Sequence, residues 1–215
     1  MAGTSAETAL LVFAKAPVAG AVKTRLIQLL GAGGAAALHG RLIVRALATA
    51  HAAAPDKLAL WCAPDATHPC LRSAAARYRA DLCPQHGTDL GARMAHAFAA
   101  TLRQTKYAIC IGADCPALTP QHLHDAAAAL RTGNDAVFVP AEDGGYALIG
   151  LARHVPQLFA DMAWGESTVM AQTRARLHAA GLCWQELATL WDVDRAEDYL
   201  RLQQSGLMND LPSPV

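Results

Sequence analysis

Apolar runs of strand length alternate along the chain with longer segments rich in alanine and leucine. Several of these runs are nearly continuous in apolar residues, which is typical of strands buried on both faces of a parallel sheet. The pattern predicts six strands, at Ala9–Ala14, Leu58–Cys62, Ala108–Gly112, Ala136–Pro140, Tyr146–Leu151 and Cys183–Leu187.

The segments between these runs are predicted to be helical. Thr119 followed by Pro120 is typical of a helix start, and Asp89 is placed to cap the helix that follows it. The predicted helices are Gly34–Ala53, Ala66–Tyr78, Leu90–Arg103, Pro120–Arg131, Ser167–Ala180 and Ala196–Gln204. Regular alternation of strands and helices predicts an α/β fold with a doubly wound sheet and helices on both faces. In such a sheet the ligand binds beyond the carboxyl ends of the strands.

Composition agrees with one well-packed domain. The chain has 215 residues, of which 53% are hydrophobic, and a chain of this length buries roughly 70% of its surface on folding. Disorder and a small disulfide-stapled fold are therefore excluded as overall descriptions. Residues 1–207 are predicted to form a single domain, and the proline-containing end, 208–215, is predicted to fray.

Charge and cysteine usage narrow the class of protein. Lysine and arginine total 18, and aspartate and glutamate also total 18. A binder of nucleic acid or of an anionic membrane normally carries a basic excess, so neither partner is expected. No apolar stretch approaches the ~20 residues of a membrane span, and no signal sequence is recognised. The six cysteines lack C-x-x-C spacing and the nine histidines form no metal-ligand pattern, which favours free thiols in a cytoplasmic protein.

Three cations follow the first predicted strand within eleven residues. They are Lys15, Lys23 and Arg25, in a loop shaped by Pro17 and Gly20. Lysine can provide a point charge and arginine a bidentate fork for phosphate oxygens, and loop N–H groups add oriented dipoles. From this segment alone, a polyphosphate site and a solvated basic turn both remain open.

Acidic residues follow two later segments. Asp114 comes directly after the strand that ends at Gly112, where Mg²⁺ bound to phosphates commonly takes one or two carboxylates. Asp192 and Asp194 alternate along an extended segment, so they share a face and could converge on one ion. The other interpretation is that Asp194 caps the last helix together with Glu197.

Glycine pairs and aromatic residues mark further candidate positions. Asp143 precedes Gly144 and Gly145, which form either an ordinary hairpin turn or a place where a ligand approaches the backbone. In the second case Asp143 is available to hold a hydroxyl or to act as base. Trp164 is placed either to stack on a sugar or base or simply to pack. A second anion or a base edge is expected at the helix start that contains Gln85, Asp89, Gly91 and Arg93.

Six segments, in the same order, resemble a family of small bacterial GT-A-like glycosyltransferases of the DUF2064 type, some of which are labelled as acting in arsenosugar biosynthesis. The resemblance covers the chain from about residue 9 to residue 202. The matching motifs are F-A-K-A-P-V-x-G-x-V-K-T-R-L from Phe13, D-L-G-x-R-M from Asp89, I-G-A-D-C-P-A-L from Ile111, P-A-x-D-G-G-Y-x-L-I-G-L from Pro140, W-G-x-S-T-V from Trp164 and D-V-D-x-x-E-D from Asp192.

The resemblance implies the nucleotide-diphospho-sugar transferase fold, a three-layer α/β/α sandwich with a mainly parallel, mixed sheet. It implies Mg²⁺ or Mn²⁺ on Asp114, with Asp192 as the second carboxylate. It also places Asp143 on the acceptor or sugar side. The substrate-binding residues expected on these grounds are Lys15, Pro17, Gly20, Lys23, Thr24, Arg25, Asp89, Arg93, Gly144, Gly145, Trp164 and Ser167.

The expected reaction is transfer of a glycosyl group from a nucleotide-diphospho-sugar to a small acceptor, with Arg25 and Asp143 as the catalytic residues. A nucleotidyltransferase of the same fold, which releases pyrophosphate, uses similar motifs and remains the alternative. A nucleotide-binding module without catalysis is less consistent with carboxylates and cations gathered at the strand ends.

Overall fold

The structure, a computed structural model, describes residues 6–212 and contains one seven-stranded sheet. The strand order is β3-β2-β1-β4-β6-β5-β7, and every neighbouring pair is parallel except those that involve β6. The strands are β1 (Ala6–Lys15), β2 (Lys57–Ala63), β3 (Asp81–Pro84), β4 (Thr105–Gly112), β5 (Ala136–Pro140), β6 (Tyr146–Leu151) and β7 (Trp184–Glu186). The predicted mixed, mainly parallel sheet is confirmed.

Helices cover both faces of this sheet. They are α1 (Ile27–Ala52), α2 (Pro69–Arg77), α3 (Leu90–Thr101), α4 (Pro120–Arg131), α5 (Val169–Ala179) and α6 (Ala196–Gln204). Successive residues of β1 point to opposite faces: Leu10 belongs to a core cluster that includes α1, α2 and α4, whereas Leu11 belongs to one that includes α3 and α5. The three-layer sandwich is therefore confirmed, and its two cores explain why β1 is apolar throughout.

Two elements differ from the sequence prediction. The edge strand β3 was not predicted, because its four residues are short of a full apolar run and are only partly buried. Helix α1 begins at Ile27 rather than Gly34 and contains a kink at Gly31, whose φ of 70° and ψ of 164° are not helical. The other predicted strands and helices are present, with ends that shift by a few residues.

The kinked helical stretch Thr24–Ala52 is, among the described residues, the one long and apolar enough to cross a membrane by length and composition. An 18-residue window within this stretch has a mean hydropathy of 1.3, so the expectation that no stretch is this apolar is wrong. In this fold 44% of that window is buried, and Ile43, Val44 and Leu47 pack in the core beside α2 and α4.

The end of the described chain contacts the rest of the protein. Leu211 is buried in a third apolar cluster with Leu26, Leu42 and Trp191. Arg41 donates hydrogen bonds to the carbonyl oxygens of Met208 and Leu211, at 3.0 and 2.9 Å. Residues 208–212 make these contacts in the structure, and residues 213–215 lie outside the described part, so fraying of the end stays a prediction.

The strand order places a topological switch between β1 and β4. From β1 the chain moves outward to β2 and β3, then returns to add β4 on the other side of β1. The loop 16–23 after β1 and Asp114 after β4 therefore meet at one crevice. This is the position at which open α/β sheets bind their ligands.

Candidate active site

A cavity of about 400 Å³ opens beyond the carboxyl ends of β1 and β4 and is bounded on one side by β6. Its walls come from the sheet, from the start of α3 and from the segment that leads into α5. Six of the residues predicted from the sequence line it: Arg25, Asp114, Asp143, Gly145, Trp164 and Asp192. The structure therefore brings together side chains that are far apart in the chain.

Asp114 is held by Lys23. The Lys23 Nζ lies 2.8 Å from Asp114 Oδ1, and the lysine side chain is only 4% exposed. Lys23 adopts a left-handed conformation with φ of 47°, which turns the loop toward the strand ends. Lys23 thus lies behind the cavity wall as the partner of Asp114, and its predicted contact with phosphate remains a prediction.

His39 is a further partner of Asp114 that the sequence did not reveal. Its Nε2 lies 3.2 Å from the Lys15 carbonyl oxygen, and its Nδ1 lies 3.5 Å from Asp114 Oδ1. The side chain is buried on the inner side of α1, next to Leu38 and Leu42. The sequence signal for this residue is a histidine among apolar residues on a buried helix face. That signal does not show which residue the histidine contacts.

These contacts set the charge state of Asp114. Burial by itself would raise its pKa, but Lys23 and then His39 outweigh burial and hold the pKa well below the usual range of an aspartate. Oδ1 is buried, whereas the side chain as a whole is 43% exposed. The carboxylate is therefore ionised, with one oxygen fixed inside the protein and the other toward the cavity.

Asp194 pairs with cations and does not cap α6. Arg25 Nη1 forms a short ion pair with Asp194 Oδ2, and Lys23 Nζ lies 4.0 Å from Asp194 Oδ1. The cap is made by Asp198, which accepts hydrogen bonds from the N–H groups of Asp194 and Arg195 at 3.0 and 2.7 Å. The interpretation of Asp194 as a cap with Glu197 is wrong, because the N-cap residue is Arg195 and the carboxylate that accepts its N–H belongs to Asp198.

Asp192 is a partly buried carboxyl group without a cationic side-chain partner among residues 6–212. Burial is the largest cause that raises its pKa to about 6, and the negative charges of Asp143 and Asp114 add to it against the effect of Lys23. Ionised Asp192 is therefore destabilising in the free protein, and a bound cation would relieve that cost.

Asp192→Asn should stabilise the free protein by about 1–2 kcal/mol above pH 6, which raises Tm by about 2–6 °C. The native state holds the Asp192 proton more tightly than the unfolded chain, so the wild type loses stability as pH rises from about 4 to about 6. Asparagine does not ionise, and the gain should vanish near pH 4. Melting curves across this range test it, with the exposed Asp210→Asn as control; equal Tm for wild type and Asp192→Asn at neutral pH would contradict it.

The turn that carries Asp143 is packed against the chain itself. Gly144 has a φ of +91°, and a Cβ there would overlap the Ser167 carbonyl oxygen and lie 2.6 Å from the Ser167 Cα. Met170 N–H donates to the Gly144 carbonyl oxygen at 2.8 Å. The backbone of residue 167 thus makes a close approach to Gly144. Asp143 Oδ1 accepts a hydrogen bond from Gly145 N–H at 2.8 Å, which orients the carboxylate at the cavity.

Trp164 both packs and lines the cavity. Its ring is perpendicular to that of Tyr146, with centroids 6.4 Å apart. A Cβ on Gly91 would lie 2.6 Å from Trp164 Nε1, so glycine at this position lets α3 approach the indole closely. The two interpretations of Trp164 are therefore compatible, since its buried edge faces α3.

The remaining predicted substrate contacts lie outside the cavity wall. Asp89 caps α3, as predicted, through a 2.8 Å hydrogen bond from Ala92 N–H, and Arg93 donates to the Gly87 carbonyl oxygen at 3.2 Å. Ligand contacts stay predictions for the residues of this group, which are Lys15, Pro17, Gly20, Thr24, Asp89, Arg93, Gly144 and Ser167.

Within residues 6–212, no three histidine, cysteine or acidic side chains are grouped as a ready metal site. Asp114 and Asp192 nevertheless suit a metal that arrives with phosphates, because Mg²⁺ is usually bound by one or two carboxylates plus phosphate oxygens and water. Asp192 has no cationic side-chain partner among the described residues, so its carboxylate suits a bound cation. All six cysteines are free thiols, as predicted.

The fold is an α/β fold of the nucleotide-diphospho-sugar transferase type, and the cavity lies where such sheets bind their ligands. Residues 46–166 match the family DUF2064, described as an uncharacterized protein conserved in bacteria. The chain also resembles a crystal structure from Desulfovibrio desulfuricans G20, provisionally described as a nucleotide-diphospho-sugar transferase, with 31% identity, a TM-score of 0.84 and coverage of 94% of this chain and 88% of that one. The chain belongs to the DUF2064 family.

More distant structures share the fold. A CMP:2-keto-3-deoxy-manno-octonic acid synthetase complexed with CTP is 13% identical, with a TM-score of 0.57 and coverage of 94% of this chain and 99% of that one. Rv0371c from Mycobacterium tuberculosis H37Rv, in a complex with manganese, is 22% identical, with a TM-score of 0.56 and coverage of 94% and 100%. Comparison with curated proteins finds no match.

Proposed function

We propose that the cavity binds a nucleotide-diphospho-sugar with a divalent metal and transfers the glycosyl group to a small acceptor. The observation that carries this proposal is the state of two carboxylates. Asp114 is fixed and ionised by Lys23 and His39, and Asp192 lines the same cavity with no cationic side chain paired to it in the described part of the chain. This arrangement supports a site that is completed by a metal and a diphosphate.

The phosphate side would be formed by the loop 16–23 and Arg25. Gly20 and Lys23 both have positive φ, and their N–H groups find no acceptor among the described residues. Such N–H groups in a tight loop suit phosphate oxygens. Arg25 is 58% exposed and uses only Nη1 on Asp194, so its other N–H donors are available to a leaving diphosphate.

Mg²⁺ or Mn²⁺ would be held by Asp114 and Asp192. When bound, it supplies positive charge that stabilises the diphosphate as a leaving group. The manganese complex of Rv0371c, a protein of the same fold, supports the choice of a divalent ion. Lys23 and His39 act on Asp114: they hold one of its oxygens and leave the other for the cavity.

Asp143 is the residue proposed to serve the acceptor. In the transfer, the acceptor hydroxyl oxygen forms a bond to the anomeric carbon, and the bond from that carbon to the phosphate oxygen breaks with its electron pair on the leaving nucleoside diphosphate. The hydroxyl proton passes to Asp143. Its Oδ1 already accepts the Gly145 N–H, so Oδ2 is the oxygen that remains for the acceptor.

Nucleotidyl transfer is the second candidate, and the synthetase that shares the fold and binds CTP favours it. The two reactions differ in the product: glycosyl transfer releases a nucleoside diphosphate, whereas nucleotidyl transfer releases pyrophosphate. The test is to incubate the protein with Mn²⁺ and a panel of nucleotide-sugars, or with nucleoside triphosphates and sugar phosphates, and to quantify both products. Nucleoside diphosphate from a sugar nucleotide supports the proposal, and pyrophosphate alone contradicts it.

Asp143→Asn should lower turnover by about 10²–10⁴-fold and leave nucleotide diphosphate affinity near that of the wild type. Asparagine keeps an oxygen for the Gly145 N–H, so the turn is preserved while the proton acceptor is lost. Turnover by product release and affinity by titration calorimetry are both measured. Full activity in this variant, or an equal loss of affinity and turnover, would contradict the proposed role of Asp143 toward the acceptor.

A further inference from the structure

We infer that the acceptor is an organic amine with an apolar body, a substrate class that rests on the proposed function of this cavity. The cavity lining has two unlike components. One is acidic, and the other belongs to the apolar core of the protein. A ligand that fills it must satisfy both, and a protonated amine attached to a flat apolar group does so.

The acidic component of the lining has more negative charge than the protein neutralises. Five carboxylates line the cavity, and Arg25 is its one basic residue among those described; the five are Asp114, Asp143, Glu166, Asp192 and Asp194. Asp114 is paired with Lys23, and Asp194 is paired with Arg25. Asp143, Glu166 and Asp192 have no cationic side-chain partner within residues 6–212.

Metal and diphosphate do not remove this imbalance. The proposed metal takes Asp114 and Asp192, and the diphosphate brings its own negative charge to that end. Asp143 and Glu166 remain, both exposed at the cavity. Like charges at short range repel, so a carboxylated or phosphorylated acceptor is disfavoured and a cation is attracted.

The second component of the lining is apolar. Phe13, Met94 and Ile149 line the cavity and are at the same time members of the core cluster under α3 and α5. Trp164 adds an indole beside them, and a cation near an indole face gains further attraction. The body of the acceptor is therefore apolar, and its charged group lies toward Glu166, since Asp143 is proposed to take the acceptor hydroxyl.

Three small phenols of similar size provide the test: tyramine is a cation, tyrosol is neutral and 4-hydroxyphenylacetate is an anion. Their Kd values are measured on the full chain at about pH 7.5, with Mn²⁺ and UDP and also without them. Tyramine should bind about tenfold more tightly than 4-hydroxyphenylacetate and also more tightly than tyrosol. One unit charge within about 4 Å of a carboxylate changes Kd by about this factor. The preference should shrink between about 50 and about 500 mM NaCl.

Glu166→Gln should weaken the binding of tyramine and leave the Kd of tyrosol unchanged. Glu197 is an exposed acid on α6 outside the cavity, and Glu197→Gln should change neither Kd. Equal Kd values for the three phenols, tighter binding of the anion, or no binding of any of them would overturn the inference. Failure of the proposed function has a different signature, which is absence of Mn²⁺-dependent UDP binding. The phenol series without metal and nucleotide still decides the charge preference in that case.

Discussion

Gly144→Ala should destabilise the protein by about 3–5 kcal/mol. The methyl group would meet the backbone of Ser167, which cannot rotate away as a side chain can, and the φ of +91° is strained for any L-residue. The segment that carries Asp143 is tied to the start of α5 through Gly144, so the change should also disturb the cavity. Urea unfolding measures the loss directly.

Gly165→Ala is the matched control. Gly165 has nearly the same φ, +89°, but a Cβ there would meet nothing within 4 Å. The substitution therefore carries only the conformational cost of about 1 kcal/mol. If both variants lose the same stability, the packing of residue 144 on residue 167 is not what makes glycine necessary.

Asp114→Asn should reduce turnover by at least about 10³-fold. The change removes the fixed negative charge proposed to hold the metal, and loss of the metal removes several kcal/mol of stabilisation of the leaving diphosphate. Initial rates with a saturating nucleotide-sugar measure it, and Asp125→Asn on the exposed side of α4 is the control. Activity near wild type would show that Asp114 only positions the loop.

The same variant should lose about 1–2 kcal/mol of stability, because the buried Lys23 would keep only the more distant Asp194, at 4.0 Å, as a counter-charge. Asparagine still offers an oxygen to the ammonium group, which limits the loss. Adding Lys23→Met should recover stability but not activity. This double variant separates the structural role of the ion pair from the proposed role of Asp114 toward the metal.

The sequence predicts the architecture well because the fold depends on local patterns. The apolar run of β1 is buried on both faces, and its alternate residues contact two different cores. Helix α4 starts at Pro120 after Thr119, as its capping signal indicates. Strand β3 is missed because an edge strand needs only a partly apolar face, and its four residues resemble a loop.

The pairing of charges in the site cannot be predicted from local sequence patterns, because it depends on contacts across the sheet. Lys23 was predicted for phosphate, yet its side chain is buried on Asp114, about ninety positions along the chain. His39 reaches the same carboxylate from α1. Asp194 binds Arg25, while Asp198 accepts the N–H groups at the start of α6. Sequence spacing identifies charged residues at strand ends but not which of them neutralise each other.

Nucleotide binding with and without metal tests the proposal most directly. Titration calorimetry of UDP, GDP and CDP with wild-type protein should show binding in Mn²⁺ that weakens by at least about tenfold when the metal is removed with EDTA. In Asp114→Asn, the affinity for the nucleoside diphosphate should be the same with and without Mn²⁺. Binding of a nucleoside diphosphate that is equally strong with and without Mn²⁺, in both proteins, would contradict a metal site on Asp114 and Asp192.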